Sequence, residues 1–120
     1  MASPIDQATF ANLLEMTGGD QEFVDELVDT YLREGDRLVE DLVMAATAGD
    51  IPALVLPAHS MKSSSLNVGA LELGELCRRL EQDSRNGAVD APLDRANEVK
   101  VAFAEVRAAL LEERRLRPAG

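Results

Sequence analysis

The sequence has no tryptophan, a single cysteine and a single histidine, and aromatic residues make up only 3% of its 120 positions. One cysteine excludes an intramolecular disulfide and a cysteine-based metal cluster, and one histidine excludes a zinc site built on paired histidines. Glycine-rich phosphate loops are missing, as is a general base placed beside a nucleophilic serine or cysteine. We therefore expect no metal site, no cofactor of the chain's own and no autonomous enzyme.

Basic residues are scarce in the first half of the chain. Residues 1–60 hold twelve acidic side chains against two arginines, and the formal net charge of the chain is −10. This balance disfavours nucleic acid as a partner. No apolar run approaches the ~20 residues that cross a bilayer, and the first residues lack the basic and apolar regions of a signal peptide. We expect a cytoplasmic protein without a membrane partner.

The residues that are present favour helices. Apolar residues make up 46% of the chain, and they are mostly leucine, alanine and valine, accompanied by many glutamates and arginines. Alanine and the straight-chain residues lose the least side-chain entropy in a helix. A chain of this length forms one core of its own, so we predict a single all-α domain that spans residues 1–120.

Five amphipathic segments are separated by glycine and capping signals. Ser3 and Pro4, followed by Asp6, predict the start of a short first helix that ends near Met16. The later boundaries are Asp20, Ala48-Gly49, Asp50-Pro52, Gly69, Asn86-Gly87, Asp90-Ala91-Pro92 and a basic end at Arg114, Arg115 and Arg117. Four long helices with short connections predict an up-down antiparallel four-helix bundle, with the first helix capping one end.

Apolar residues recur at steps of three and four on each long helix, and these stripes predict the core. The stripes are Val24, Leu27, Tyr31, Leu38, Leu42 and Ala45; Leu54, Ala58, Met61, Ser65 and Val68; Leu73, Leu76, Cys77 and Leu80; and Ala96, Val99, Phe103, Val106 and Leu110. The lone cysteine is thus expected to be a small core residue. Pro57 cannot donate a hydrogen bond to the carbonyl of Ala53, so the third helix either bends there or begins later.

The third helix also carries the single histidine. At about 100° per residue, His59 lies roughly 140° from the origin of the core stripe at Leu54 and is predicted to face solvent. Lys62 and Ser63 follow one turn later on the same side. Exposed aliphatic side chains surround this group: Val55, Leu56 and Leu66.

A neutral imidazole nitrogen is a nucleophile that accepts an activated phosphoryl group. The product carries negative charge that a nearby cation and hydroxyl donors stabilise, and Lys62 with Ser63 or Ser64 could supply both. Carboxylates would oppose this charge, and none occurs from Ile51 through Leu71. The alternatives are that His59 and Lys62 are ordinary surface residues and that the three consecutive serines, residues 63–65, are a weak point of the helix.

Residues 58–70, Ala-His-Ser-Met-Lys-Ser-Ser-Ser-Leu-Asn-Val-Gly-Ala, resemble the signature of the histidine phosphotransfer (HPt) family, commonly Ala-His-x-Leu-Lys-Gly-x-Ser-x-x-x-Gly-Ala. The matching positions are His59, Lys62, Ser65, Gly69 and Ala70. Met61 replaces the usual leucine, which is a volume-conserving change. Ser63 replaces the usual glycine, and because serine is still small, we expect access to His59 to be preserved.

The resemblance implies a phosphorelay intermediate in which His59 accepts a phosphoryl group from one receiver aspartate and passes it to another. Lys62 would stabilise the phosphoryl charge, Ser63 and Ser64 would donate hydrogen bonds, and a response-regulator receiver domain would dock on the aliphatic residues named above. The receiver would bring the Mg²⁺ and catalyse the transfer, and a hybrid sensor histidine kinase would supply the phosphoryl group.

Two alternatives stay open. A helical adaptor would bind a partner through the same exposed apolar strip without phosphorylation, and His59 would then be incidental. An HPt segment of a larger histidine kinase would instead receive its phosphoryl group from an ATP-binding domain elsewhere. A monomer is the default expectation, although an amphipathic bundle can pair through a leftover apolar strip.

Overall fold

The structure is a computed structural model that describes residues 3–116, and every element in this range is helical. Residues 1–2 and 117–120, among them Arg117 of the predicted basic end, lie outside the described residues. The helices are α1 (Gln7–Met16), α2 (Gln21–Thr47), α3 (Val55–Asn67), α4 (Leu71–Arg85) and α5 (Pro92–Leu116), with a 3₁₀ turn at Pro52–Leu54. The predicted all-α class and the helix order are confirmed.

The four long helices form a bundle in which α3 and α5 lie on a diagonal. Both α3 and α5 pack against α2 and α4, and α1 packs against α2. The short connections between successive helices give the up-down arrangement that the sequence predicts. Among residues 3–116, no helix has both the length and the apolar character needed to cross a bilayer.

The start of α1 is a correction to the sequence-based prediction. The helix begins at Gln7 rather than at Ser3-Pro4, and Asp6 is its N-cap, whose carboxylate accepts a hydrogen bond of 3.0 Å from the amide of Thr9. The backbone amide of Asp6 donates to the carbonyl of Gly69 at 2.7 Å, in the connection between α3 and α4. This contact with a distant loop holds Asp6 extended, so the helix cannot begin earlier.

The stripe predicted on α3 is buried throughout, with Ser65 and Ala58 at 0% exposure. The stripe of α5 is buried as well. The predictions that Leu27 and Leu76 lie in the core are wrong in part. Leu27 is 37% exposed beside the short α1, and Leu76 is only half-buried. Cys77 is fully buried, and burial raises the pKa of its thiol to about 12, which is consistent with a small, unreactive core residue.

Pro57 causes no break in α3. The α-helix begins at Val55 after the 3₁₀ turn, so Pro57 lies in the first helical turn. Amides of the first turn have no partner inside a helix, and a missing N–H therefore costs nothing there. The later start, one of the two alternatives, is the one that the structure has.

Candidate functional site

His59 projects from α3 on the side opposite the core stripe, as its helical position predicts. Its side chain is 48% exposed, while its sequence neighbour Ala58 is fully buried. The exposed ring is open to a large partner, whereas the backbone beneath it is held by the core. The imidazole is thus accessible, and the helix that carries it is held in place by the core.

A carboxylate from α4 contacts this imidazole, and the sequence analysis missed it. Glu81 Oε2 lies 3.0 Å from His59 Nδ1, and the Glu81 side chain is 10% exposed. Lys62 Nζ lies 2.9 Å from the other oxygen of the same carboxylate, Oε1. The stretch from Ile51 through Leu71 has no acid of its own, but α4 brings one to it, so the gap in the sequence does not leave the surface around His59 free of carboxylates.

Arg85 completes the cluster from the last turn of α4. Its Nε and Nη2 donate hydrogen bonds of 3.1 Å and 2.9 Å to Glu81 Oε2, the oxygen that also contacts His59. The Lys62 contact is an ion pair whose geometry is not that of an aligned hydrogen bond. One buried carboxylate is thus surrounded by two permanent cations and one imidazole.

The cluster keeps Glu81 ionised. Burial raises the pKa of Glu81, but the contacts with Lys62, Arg85 and His59 outweigh burial and lower that pKa to about 2. An ionised carboxylate only accepts hydrogen bonds, so Nδ1 of His59 must carry the proton that it donates. In the neutral ring the lone pair is then on Nε2, the nitrogen that is not held by Glu81.

Because folding lowers the pKa of Glu81, we expect the stability of the fold to decrease in acid. A carboxylate whose pKa falls from 4.5 to about 2 on folding stabilises the fold above pH 4.5, and this stabilisation is lost as the pH falls towards 2. We expect the free energy of unfolding of the wild type to exceed that of Glu81→Gln by on the order of 1–2 kcal/mol at pH 7, with the difference vanishing near pH 2.

Urea unfolding at several pH values would measure this difference. Glu40→Gln, which removes an exposed carboxylate of α2, is the control, and we expect it to follow the wild type across the pH range. A constant difference between the wild type and Glu81→Gln from pH 7 to pH 2 would contradict the electrostatic role of Glu81.

The three consecutive serines point in different directions. Ser63 is exposed on the side of His59, whereas Ser64 donates a hydrogen bond of 3.0 Å to the carbonyl of Ser60 in its own helix. Ser65 is buried, and its hydroxyl lies 2.8 Å from the hydroxyl of Tyr31 on α2. Burial raises the pKa of Tyr31 to about 12, so this pair is a neutral hydrogen bond that fastens α3 to α2.

The predicted docking residues lie on the exposed side of α3. Leu56 is 73% exposed and Leu66 is 42% exposed, while Val55 is half-buried. Beyond Leu66, a groove of about 570 Å³ runs between α1, α2 and α3, and its lining includes Leu27 and Met16. The apolar surface at the C-terminal end of α3 therefore extends to α1 and α2, which helical geometry on α3 alone did not indicate.

The conserved sequence pattern of the Hpt domain matches residues 26–109. The chain belongs to the Hpt domain family. The match begins inside α2 and ends inside α5, so it includes the whole of α3 and α4 and all four members of the charged cluster. Histidine phosphotransfer is thus the function class of this domain.

Relatives and solved structures agree with this assignment. The chain is 31% identical over 93 residues to the multistep phosphorelay regulator 1 of Schizosaccharomyces pombe, an alignment that covers 73% of this chain and 32% of that protein. The chain therefore spans about a third of the length of this curated relative. A crystal structure of histidine-containing phosphotransfer protein B from Pseudomonas aeruginosa PAO1 superposes with a TM-score of 0.87 at 30% identity, covering 98% of this chain and all of the other.

A histidine-containing phosphotransfer protein from maize has the same fold. Its TM-score is 0.78 at 22% identity, with 94% of this chain and 90% of the maize chain covered. The Hpt bundle is thus retained across a wide range of sequences. Among residues 3–116 of the present Hpt domain, no group of three or more histidine, cysteine or acidic side chains is arranged to hold a metal ion.

A signal for Glu81 was present in the sequence of this Hpt domain. Glu81 follows Leu80 and lies four residues after Cys77, on the side of α4 that carries the core stripe. A charged residue on an apolar stripe is almost never fully buried without a partner. Which partner it meets could not be deduced from α4 alone, because His59 lies 22 positions earlier, on a different helix.

Proposed function

We propose that this Hpt domain carries a phosphoryl group on Nε2 of His59 and exchanges it with the aspartates of receiver domains. The observation that carries the proposal is the exposed imidazole whose Nδ1 is held by the Glu81 carboxylate at 3.0 Å. That contact leaves the Nε2 lone pair directed away from the cluster. Nε2 is therefore the nucleophile.

The transfer exchanges one bond for another. The Nε2 lone pair attacks the phosphorus of a phosphoaspartate, the P–N bond forms, and the P–O bond to the aspartate breaks with release of a carboxylate. The imidazole then carries a positive charge beside the Glu81 carboxylate, which stabilises it. Transfer to a second receiver reverses these steps, with its aspartate oxygen as the nucleophile.

Two cations balance the charge of the phosphoryl group. Lys62 is 25% exposed, and its Nζ lies 2.9 Å from Glu81 Oε1, so its positive charge is next to the place that the phosphoryl oxygens would occupy. Arg85 is 58% exposed and shares its acceptor oxygen with His59. Ser63 is an additional hydrogen-bond donor on the open side, whereas the Ser64 hydroxyl donates its hydrogen bond to the carbonyl of Ser60 in its own helix.

The receiver domain supplies the catalytic groups in this proposal. Its aspartate would be the phosphoryl donor or acceptor and its Mg²⁺ would supply positive charge to the phosphoryl oxygens, while this chain contributes the nucleophile and the cations. Leu56, Leu66 and Val55, together with the groove towards α1, form the docking surface. A hybrid sensor histidine kinase as the first phosphoryl source and a cytoplasmic location are parts of the same proposal, and the similarity to a multistep phosphorelay regulator supports the place in a phosphorelay.

Phosphotransfer from a panel of phosphorylated receiver domains with Mg²⁺ tests the proposal. The expected product is a phosphoprotein that loses its label in acid, keeps it in alkali and maps to residue 59 by mass spectrometry. A folded protein that accepts no label from any receiver, yet still binds one, would overturn the proposal in favour of an adaptor.

Lys62→Ala should slow transfer to this domain, and because it also removes an ion-pair partner of the buried Glu81 carboxylate, it should lower the free energy of unfolding by on the order of 1 kcal/mol. The lysine is partly exposed on α3, and its loss removes one of the two cations that face the phosphoryl group. We expect a decrease in transfer rate of roughly 10–100-fold, as for the loss of one charge-stabilising donor. Arg37→Ala, which removes an exposed cation of α2, is the control. Wild-type rates in Lys62→Ala would remove the assigned role.

A further inference from the structure

Helix α5 carries a second set of mostly apolar side chains on the side that faces away from the core. These residues recur at steps of four and three, and we call them the outer face: Asn97, Val101, Ala104, Ala108 and Leu111. All five are exposed, Val101 by 59% and Leu111 by 43%. No helix within residues 3–116 therefore covers this face.

Opposite charges border the outer face on its two sides, each repeating every seven residues. The acidic side consists of Glu98, Glu105 and Glu112, and the basic side consists of Lys100, Arg107 and Arg114. In coiled-coil notation, Val101 and Ala108 occupy a positions, and Asn97, Ala104 and Leu111 occupy d positions. The glutamates are then at e and the basic residues at g, which is the arrangement that sets partner and orientation in coiled coils.

We propose that the outer face of α5 pairs with the same face of a second copy of this chain, with the two helices parallel. In a parallel pair each g residue meets an e residue of the next heptad, so Lys100 meets Glu105 of the second copy and Arg107 meets Glu112. An antiparallel pair would place g against g and e against e, and would oppose like charges along its whole length. The charge pattern therefore selects one orientation.

Contacts within one chain are compatible with this pairing. Arg107 pairs with Asp36, and Arg114 pairs with Asp29, both on α2. A guanidinium has five donors, so Arg107 can bond α2 and Glu112 of a second copy together. The Arg107 guanidinium also lies 5.4 Å from the centre of the Phe103 ring.

The association is weak and reversible. The outer face covers only two heptads and has alanine at two of its positions, so the buried area is that of a transient complex. The net charge of −10 on each chain adds general repulsion. A concentration-dependent dimer thus replaces the monomer that the sequence alone favours.

The dimer leaves the phosphoryl site free. His59 lies on α3, and α3 and α5 are on opposite corners of the bundle because both pack against α2 and α4. Pairing through α5 therefore presents two separate His59 sites, and a dimeric receiver could engage both at once. This consequence depends on the proposed function, whereas the dimer itself does not.

Sedimentation velocity of the full chain over a wide concentration range tests the pairing. We expect the mass to rise from 13.0 kDa towards twice this value, and Val101→Glu to raise the dissociation constant by at least about tenfold. Leu71→Glu, at a similarly exposed apolar residue of α4, is the control and should dimerise like the wild type. A wild-type protein that stays monomeric at all concentrations would overturn the proposal and leave the face to a helix of another protein.

Cysteine cross-linking tests the orientation. In a parallel pair, Ala104→Cys and Leu111→Cys should each form a disulfide with its own copy, while an antiparallel pair can bring only one of these positions against itself. Glu26→Cys, on the exposed side of α2, is the control for random collisions, and the buried Cys77 gives little background. Cross-linking of only one variant, or of both no faster than the control, would contradict the parallel arrangement.

Discussion

His59→Gln should abolish phosphoryl acceptance completely while the protein remains folded. A glutamine amide nitrogen is not nucleophilic, so it cannot form a P–N bond with a phosphoaspartate. The same amide can still donate a hydrogen bond to Glu81, which keeps the buried carboxylate partnered. Because the His59 side chain is 48% exposed, we expect the free energy of unfolding to change by less than about 1 kcal/mol.

The measurement is transfer of label from a phosphorylated receiver domain to the wild type and the variant, with circular dichroism as the check on folding. Receiver binding, measured by titration calorimetry, should change by no more than about twofold, because the docking side chains are unchanged. Label that persists on His59→Gln would place the phosphoryl group on another residue. Complete loss of binding would instead show that the variant had damaged the docking surface.

Gly35→Ala should destabilise the bundle by about 1 kcal/mol. Gly35 lies in α2, and a Cβ at this position would overlap the ring of Phe103 on α5. That ring is 4% exposed, and its centre lies 5.8 Å from the centre of the Tyr31 ring, so a shift of Phe103 into the neighbouring groove between α2 and α5 would give up this packing. Overpacking of this kind costs about 1–3 kcal/mol, which outweighs the roughly 1 kcal/mol that alanine gains over glycine in a helix.

Gly74→Ala is the matched control, since it also places a methyl group in a close contact between two helices. The added Cβ would meet Cδ2 of Leu66 at 2.6 Å, but Leu66 is 42% exposed and can rotate away. We therefore expect this variant to be neutral or more stable by up to about 1 kcal/mol. Urea unfolding measures both variants, and equal effects at the two positions would contradict the argument.

A second substitution distinguishes the overlap with Phe103 from other effects of Gly35→Ala. Phe103→Leu removes the ring atoms that the new methyl group meets, so the two changes together should cost less than the sum of the single changes. A coupling free energy of about 1 kcal/mol would support the packing account. Additive costs would show that the methyl group is accommodated elsewhere.

Local patterns in the sequence were enough to predict most of the fold and the part of the site that lies on α3. Steps of three and four along α3 correctly placed Ala58 and Ser65 in the core and His59 in solvent, because these directions depend only on helical geometry. Capping residues correctly predicted the starts of α2 at Asp20 and of α5 at Pro92. The same helical geometry placed Lys62 and Ser63 beside His59, whereas the phosphorelay function came from the resemblance of residues 58–70 to a family.

Features that join distant segments were not predicted. Glu81 and Arg85 reach His59 from α4, and their contacts depend on how α3 and α4 pack rather than on any spacing in one helix. The start of α1 is likewise decided by the backbone contact between Asp6 and Gly69. The sequence by itself determined which residues are helical and which side of each helix is apolar, since both follow from local chemistry. Only the tertiary structure decided which charges meet at His59, because a buried carboxylate takes its partners from whichever helix packs against it.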